Sequence, residues 1–245
     1  MRKVLIGFLL TIFCISAHAE PMTKKKIAWI ESQEGVKDIG CSKYDDGTYS
    51  ITKKEPFKIN ESAFKVKKLF DGSSFTCYLN DKDRLPVLSV VEVGKVDGVD
   101  IRIYHSDGSG LLGDQDMDKY DDGWHTGCKQ DAMTDDVICY VRQNDLSIFR
   151  DKDGYIVRVG SSHYPDSVAN LRINKDTPFS SGEEGIFSSE SSKNIVNTLT
   201  SKDSVMTRYV EWPNKRNIDK PVRMENYDTA KKVLDLIFDN HNWLK

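Results

Sequence analysis

Short runs of β-branched and aromatic residues, interrupted by Gly, Asp and Asn, recur along most of the chain. Runs of this kind, bounded by turn residues, are typical of β-strands. The first half offers four strand candidates: KIAWIES at 26–32, GTYSITK at 47–53, AFKVKKLF at 63–70 and SFTCYLN at 74–80. The pattern predicts a mainly β fold in which helices are a minor part.

Two longer stretches predict β-hairpins. In LPVLSVVEVGKVDGVDIRIYH (85–105), apolar residues lie on both sides of Asp97-Gly98, a dipeptide that favours a tight two-residue turn. Further on, LSIFR (146–150) and YIVRV (155–159) flank DKDG, whose last residue, Gly154, tolerates the positive φ that such loops require.

Two stretches predict helices, SESSKNIVNTL at 189–199 and NYDTAKKVLDLIFDNH at 226–241. Serines are available to cap the first helix, and Asp228 is available to cap the second. The apolar residues at helical spacing are Ile195, Val196 and Leu199 in the first, and Ala230, Val233, Leu234, Ile237 and Phe238 in the second. Because an apolar stripe normally faces its own core, we expect the last helix to cover a sheet face or edge.

The N-terminus has the order of a signal peptide. Two basic residues precede the apolar run VLIGFLLTIFCI (4–15), and AHA (17–19) supplies small residues for cleavage before Glu20. We therefore expect residues 1–19 to be removed and the remainder to be periplasmic, without a stable membrane anchor.

Four cysteines follow the predicted cleavage site, namely Cys41, Cys77, Cys128 and Cys139. In an oxidising compartment this even number predicts two disulfides with three possible connectivities. Proximity in sequence favours Cys41–Cys77 and Cys128–Cys139. Structural zinc is disfavoured because the chain has no C-x-x-C pair.

Charge restricts the class of partner. After cleavage the chain carries 33 basic and 38 acidic residues, a net charge of −5. Nucleic acids and anionic membranes require clustered Lys and Arg, so we expect neither as a partner. Acidic loops are instead suited to a basic protein surface.

A Gly- and Asp-rich stretch, HSDGSGLLGDQDMDKYDDG (105–123), predicts a domain boundary, with an N-terminal β-rich domain at 20–112 and a C-terminal domain at 113–245. KYDDG occurs at 43–47 and again at 119–123, but the flanking cysteines do not recur in register. The repeat therefore indicates two similar turns and not a duplicated domain.

Two motifs in this stretch are candidates for ligand binding. GSGLLG (108–113) has the spacing of a dinucleotide fingerprint, but the acidic stretch DQDMDKYDDG follows it where a helix N-terminus is needed, so we expect no cofactor. The acidic residues Asp114, Asp116, Asp118 and Asp122 are a weak calcium candidate. They lack the Gly and the bidentate Glu of an EF-hand loop, which favours a solvated acidic loop.

Catalysis by a nucleophile has one candidate stretch, GSSHYPDS (160–167), which contains Ser161, Ser162, His163 and Asp166. Catalytic triads converge from separate parts of a fold, and the chain has no G-x-S-x-G elbow. We therefore predict a protein that is not an enzyme. A hydrolase that uses His163 or His125 with nearby carboxylates is the alternative.

The second half resembles a known family. Trp124 lies four residues before Cys128, Cys139 opens the next strand, and LRIN (171–174) and a tyrosine-led helix follow. From Trp124 to Ile237 this order resembles the invasion-associated locus B family of bacterial exported proteins. The resemblance implies a β-sandwich-like exported domain with no catalytic residues to transfer. We thus expect disulfide-linked, β-sandwich-like domains with a C-terminal helix.

Together these features predict a periplasmic protein that acts by binding another protein. The favoured role is an immunity or inhibitor protein that neutralises a toxin or hydrolase acting in the periplasm, and an envelope or virulence-associated factor of the family above is the alternative. Because Trp and Tyr often dominate binding energy, the candidate interface residues are Trp212, Tyr209 and Trp243.

Overall fold

The structure is a computed structural model that describes residues 42–43, 49–53, 57–58, 65–66, 69–79, 88–105, 107–114 and 122–241. In chain order the described strands are β1 (Ser42–Lys43), β2 (Tyr49–Lys53), β3 (Phe57–Lys58), β4 (Lys65–Val66), β5 (Ser74–Leu79), β6 (Leu88–Val96), β7 (Val99–Tyr104), β8 (Gly110–Leu112), β9 (Trp124–Gln130), β10 (Val137–Gln143), β11 (Leu146–Asp151), β12 (Gly154–Val159), β13 (Asn170–Ile173), β14 (Phe179–Ser180), β15 (Val205–Glu211) and β16 (Arg216–Val222). The described α-helices are α1 (Ser189–Thr198) and α2 (Tyr227–Asp239).

Two antiparallel sheets form most of this fold. The larger has ten strands in the order β1-β2-β5-β6-β7-β8-β9-β10-β11-β12, and the smaller has four in the order β14-β13-β15-β16. β3 and β4 pair with each other as a separate two-stranded sheet and lie between β2 and β5 in the chain. The prediction of a mainly β fold with a C-terminal helix is confirmed.

Both predicted hairpins are present. Val96 pairs with Val99 across Asp97 and Gly98, whose φ values of 50° and 85° are those of a tight hairpin turn. In the second hairpin Asp151 pairs with Gly154. The Asp151 carboxylate closes this turn by accepting the backbone N–H of Asp153 at 2.8 Å and of Gly154 at 2.9 Å.

Both predicted helices are present, but their caps differ from each other. Ser188 caps α1, because its hydroxyl accepts the backbone N–H of Ser191 at 3.2 Å. For α2 the expected cap was wrong: Asn226 occupies the cap position, and Asp228 lies within the first turn. Its carboxylate accepts the backbone N–H of Ser201 at 3.1 Å, so it fastens the loop between α1 and β15 to the helix.

The last helix covers the larger sheet, as expected from its apolar stripe. α2 packs on β9, β10 and β11, and its residues Ala230, Val233, Leu234 and Ile237 are fully buried. At its first turn Tyr227 packs against Trp124 with ring centroids 5.5 Å apart. Trp124 also donates its indole N–H to the carbonyl of Glu225 at 2.9 Å, which fixes where the helix begins.

One predicted disulfide lies within the described residues and is confirmed. Cys128 on β9 and Cys139 on β10 are directly opposite each other in the ladder and are joined by a disulfide. The second predicted disulfide, Cys41–Cys77, lies outside the described residues. Cys41 is not described, and of Cys77 only the backbone is described, within β5.

The larger sheet is continuous across the predicted domain boundary. β8 lies inside the Gly- and Asp-rich stretch and pairs with β7 on one side and with β9 on the other. In GSGLLG, Gly108 has a φ of 66° and begins the turn into β8, which is formed by residues 110–112 of the motif itself. The division into domains at 112/113 stays a prediction.

The signal peptide, the KIAWIES candidate and most of both KYDDG copies lie outside the described residues.

Candidate binding surface

The two sheets are joined by a loop that continues the smaller sheet. Between β12 and β13 the chain runs from Gly160 to Ala169, and part of this loop pairs with the end of β15. Trp212 donates its backbone N–H to the carbonyl of Ser162 at 2.9 Å, and Tyr164 donates its N–H to the carbonyl of Val210 at 2.8 Å. The loop therefore lies beside β15 as an additional short strand.

This pairing decides which side chains face solvent. Alternate residues of a strand point to opposite faces, and along β15 Val205, Thr207 and Tyr209 are buried while Arg208 is exposed. The same alternation places Trp212 on the exposed side. We call this side the outer face; it is the solvent side of the four-stranded sheet and carries Tyr164, Asn170, Arg172, Met206, Arg208, Trp212 and Asp219.

One end of the outer face is aromatic. The Trp212 side chain is 54% exposed, and its ring packs on that of Tyr164 with centroids 5.6 Å apart. On Tyr164 the ammonium of Lys215 lies 5.1 Å from the ring centroid, at a distance typical of cation–π contacts. The turn after β15 positions Lys215, which donates its backbone N–H to the carbonyl of Glu211 at 2.9 Å.

The other end of the outer face is a pocket lined by both charged and apolar side chains. It has a volume of about 360 Å³ and is lined by Asn170, Arg172, Pro178, Met206, Arg208 and Asp219. Arg208 and Trp212 are four residues apart in extended chain, so the pocket and the aromatic end are about 13 Å apart.

Beneath the aromatic end lies a buried pair of rings. His163 pairs with Glu211 in the bridge and therefore faces inward, where its ring lies 5.2 Å from that of Tyr209. Burial lowers the pKa of His163 and raises the pKa of Tyr209, because it disfavours the charged form of each. Both rings support the surface from below.

The predicted interface residues have different positions. Trp212 is 54% exposed, whereas Tyr209 is 5% exposed and faces inward. The role of either residue in binding stays a prediction. Trp243 lies outside the described residues.

The other candidate sites are dispersed or occupied. Of the calcium candidates Asp116 and Asp118 are not described, and Asp122 is paired with the guanidinium of Arg223. The described residues hold no group of three or more His, Cys, Asp or Glu placed to bind a metal ion. In GSSHYPDS, the buried ring nitrogens of His163 make no hydrogen bond to the neighbouring Ser or Asp side chains.

A second pocket, of about 690 Å³, lies between the β11–β12 hairpin and α1. Its charged residues have both signs, so it favours no single ligand: Arg150, Asp151, Asp153, Glu190 and Lys193. Nearby, the Tyr155 hydroxyl donates to Asp235 at 2.6 Å, and Arg150 lies 5.1 Å from the ring centroids of both Tyr155 and Phe238. These contacts fasten α2 to the hairpin.

No protein-family model, no curated protein and no solved structure matches the chain. The resemblance to the invasion-associated locus B family therefore stays a prediction. Among the described residues, neither helix has the length and hydrophobicity needed to cross a membrane.

Of the seven residues of the outer face, sequence reasoning identified Trp212 and missed six, among them Tyr164, Arg172 and Arg208. A signal for the two arginines exists, because each occupies a polar position of an alternating strand in NLRI and VMTRYVE. No comparable signal marks Tyr164, whose position depends on the pairing of its loop with β15.

Proposed function

We propose that this protein is an exported, non-enzymatic binding protein that uses the outer face to hold a protein partner. The favoured role is an immunity or inhibitor protein that neutralises a toxin or hydrolase acting in the periplasm. The observation that carries the proposal is the half-exposed ring of Trp212, held on Tyr164 at a fixed turn.

Energetics support Trp212 as the anchor of an interface. A Trp ring buries a large apolar area when a partner covers it, and Trp is enriched among residues that dominate binding energy. Because its neighbours already hold the ring, association costs less side-chain entropy than ordering a mobile one. The exposed half of the ring gains nothing from folding, so its burial by a partner is the use that its chemistry favours.

The class of partner follows from the predicted compartment. The predicted signal sequence, a disulfide in a β scaffold and a surface suited to binding support a periplasmic inhibitor. The resemblance noted above supports the same compartment and, in addition, an envelope-associated role.

Affinity capture from the periplasm and the secreted fraction of the source cell tests this function. The bait is the purified protein, and Trp212→Ala is compared with Met133→Ala, because Met133 is 92% exposed and lies on the β9–β10 loop of the other sheet. We expect the wild type and Met133→Ala to retain one stoichiometric partner that Trp212→Ala loses by about tenfold or more. The captured protein should be toxic when expressed in the periplasm alone and harmless when co-expressed with this protein.

Two results would contradict the proposal. Equal capture by Trp212→Ala and the wild type would show that the outer face is not the interface. An empty capture would exclude a tight inhibitor. The hydrolase alternative is separated by His163→Phe, which keeps a ring against Tyr209. This change abolishes hydrolysis by an enzyme that uses His163, whereas a binder retains its partner.

A further inference from the structure

The pocket of the outer face presents hydrogen-bond donors. Within the described residues, the guanidinium of Arg172 makes no ion pair or hydrogen bond, although it lines the pocket. Arg208 lies beside it and is held by Asp219 through two parallel hydrogen bonds, Nε to Oδ1 at 2.6 Å and Nη2 to Oδ2 at 2.5 Å. This arrangement leaves the Nη1 donors of Arg208 available.

The side-chain oxygens of Asp219 and Asn170 in the same pocket each already accept a hydrogen bond from a neighbour. Both carboxylate oxygens of Asp219 accept from Arg208, and this ion pair holds the pKa of Asp219 below its usual value. Asn170 accepts the Ser180 hydroxyl on its side-chain oxygen at 3.0 Å, which leaves the amide N–H₂ group to donate. Two guanidinium groups and one carboxylate give the lining a charge of +1.

A pocket that offers donors and positive charge fits a planar anion. Arginine recognises carboxylates in particular, because its forked N–H groups match both oxygens of the acceptor. Met206 and Pro178 provide apolar walls that fit the methylene groups of an acidic side chain. The pocket opens on the same face as Trp212, about 13 Å away along β15.

We propose that this pocket binds an acidic side chain of the partner protein, on an extended segment whose apolar residue packs on Trp212 and Tyr164. The inference rests on the proposed function of the outer face and adds the chemistry of the partner. The acidic loops of the sequence suggested a basic partner. At this surface we expect instead a partner segment that carries Asp or Glu about four residues from an apolar residue.

Two short blocked peptides test the pocket without knowledge of the partner. One has leucine and glutamate four positions apart, joined by threonines, and the other has glutamine in place of the glutamate; each is made in both chain orders. The readout is the NMR signals of the Arg172 and Arg208 side-chain Nε–H groups and of the Trp212 indole N–H. We expect the glutamate peptide to shift all three signals and the glutamine peptide to bind about tenfold more weakly or worse.

Variants of the protein give the matched comparison. Arg172→Gln should lower affinity for the glutamate peptide about tenfold or more and leave the glutamine peptide unaffected. Arg142→Gln is the control, because Arg142 is an exposed arginine on β10 of the other sheet. It should bind both peptides as the wild type does.

Three outcomes overturn the inference. Peptide binding that does not depend on the glutamate, or that Arg172→Gln retains in full, shows that the pocket is not a carboxylate site. If a single glutamate blocked at both ends binds as tightly as the glutamate peptide, the pocket is a site for small free carboxylates. Affinity capture separates this inference from the proposed function. If Trp212→Ala loses the partner and Arg172→Gln retains it in full, the acidic contact is refuted while the proposed function stands. If both variants capture the partner as the wild type does, the proposed function itself is refuted.

Discussion

The carboxylate of Glu92 lies 2.8 Å from Nε2 of His105, and solvent reaches neither side chain. The same carboxylate accepts the backbone N–H of Leu69 at 3.0 and 2.9 Å, that of Phe70 at 3.3 Å, and the hydroxyl of Ser73. Glu92 on β6 therefore fastens the loop before β5 to the larger sheet. Its complete burial gives it a structural role, because a substrate has no access to it.

Replacing Glu92 with Ala should lower the free energy of unfolding by about 3–5 kcal/mol, since it leaves buried donors without an acceptor. Glu92→Gln should cost less, because its amide oxygen still accepts a backbone N–H. Urea unfolding followed by circular dichroism measures both. The exposed Glu225→Ala serves as control and should stay within about 0.5 kcal/mol of the wild type. A loss below about 1 kcal/mol for Glu92→Ala would contradict the structural role.

Gly160 supports the outer face through its lack of a side chain. It has a φ of 78°, and a Cβ there would lie 2.7 Å from Cγ of Tyr209. Gly160→Ala should therefore lower the free energy of unfolding by about 2–5 kcal/mol, from the left-handed backbone and from overpacking. Gly98→Ala is the matched control: its φ is 85°, but no atom lies within 4 Å of the added Cβ, so only the backbone cost of about 1–2 kcal/mol applies. Equal losses in the two variants, measured by urea unfolding, would refute the packing argument.

The stability of the fold should depend on pH through His163. Burial lowers its pKa from 6.5 in the folded state, and the guanidinium of Arg158 adds to this effect, while Glu184 acts in the opposite direction. The unfolded chain therefore binds a proton more readily than the folded one. The contribution of His163 is fully present above pH 6.5 and is lost as the pH falls through 6.5 towards the lowered pKa.

The measurement compares urea unfolding at about pH 8 and about pH 5.5 for the wild type and His163→Phe, which keeps a ring against Tyr209 and cannot be protonated. The wild type should lose more stability between the two values than the variant. If the two proteins lose stability in parallel, His163 is not the group that titrates in this window.

Much of the local structure was predictable from the sequence. The turn at Asp97 and Gly98, the alternation in β11 and β12 and the stripe of α2 are patterns whose cause lies within a few residues. The Cys128–Cys139 pair also lies close in sequence, on neighbouring strands of one hairpin. Asp228 was misassigned as a cap because its actual partner, Ser201, lies in a distant loop.

The candidate site was predictable only in part. The sequence proposed Trp212 as an interface residue from its residue type, and its ring is exposed. Tyr209, three residues before it, is an equally good interface candidate by residue type. The alternation of β15 nevertheless turns Tyr209 inward, where it packs on His163. Tyr164 is 48 positions from Trp212 and reaches it through the backbone pairing of two separate segments.

The sequence by itself determined the mainly β class, the two hairpins, the two helices and one disulfide, because short-range periodicity and turn chemistry specify them. Only the tertiary structure decided that Trp212, Tyr164 and Arg172 share one face. The reason is physical: the order of strands in a sheet brings distant segments together, and the burial of one side of β15 determines which of its residues remain in solvent.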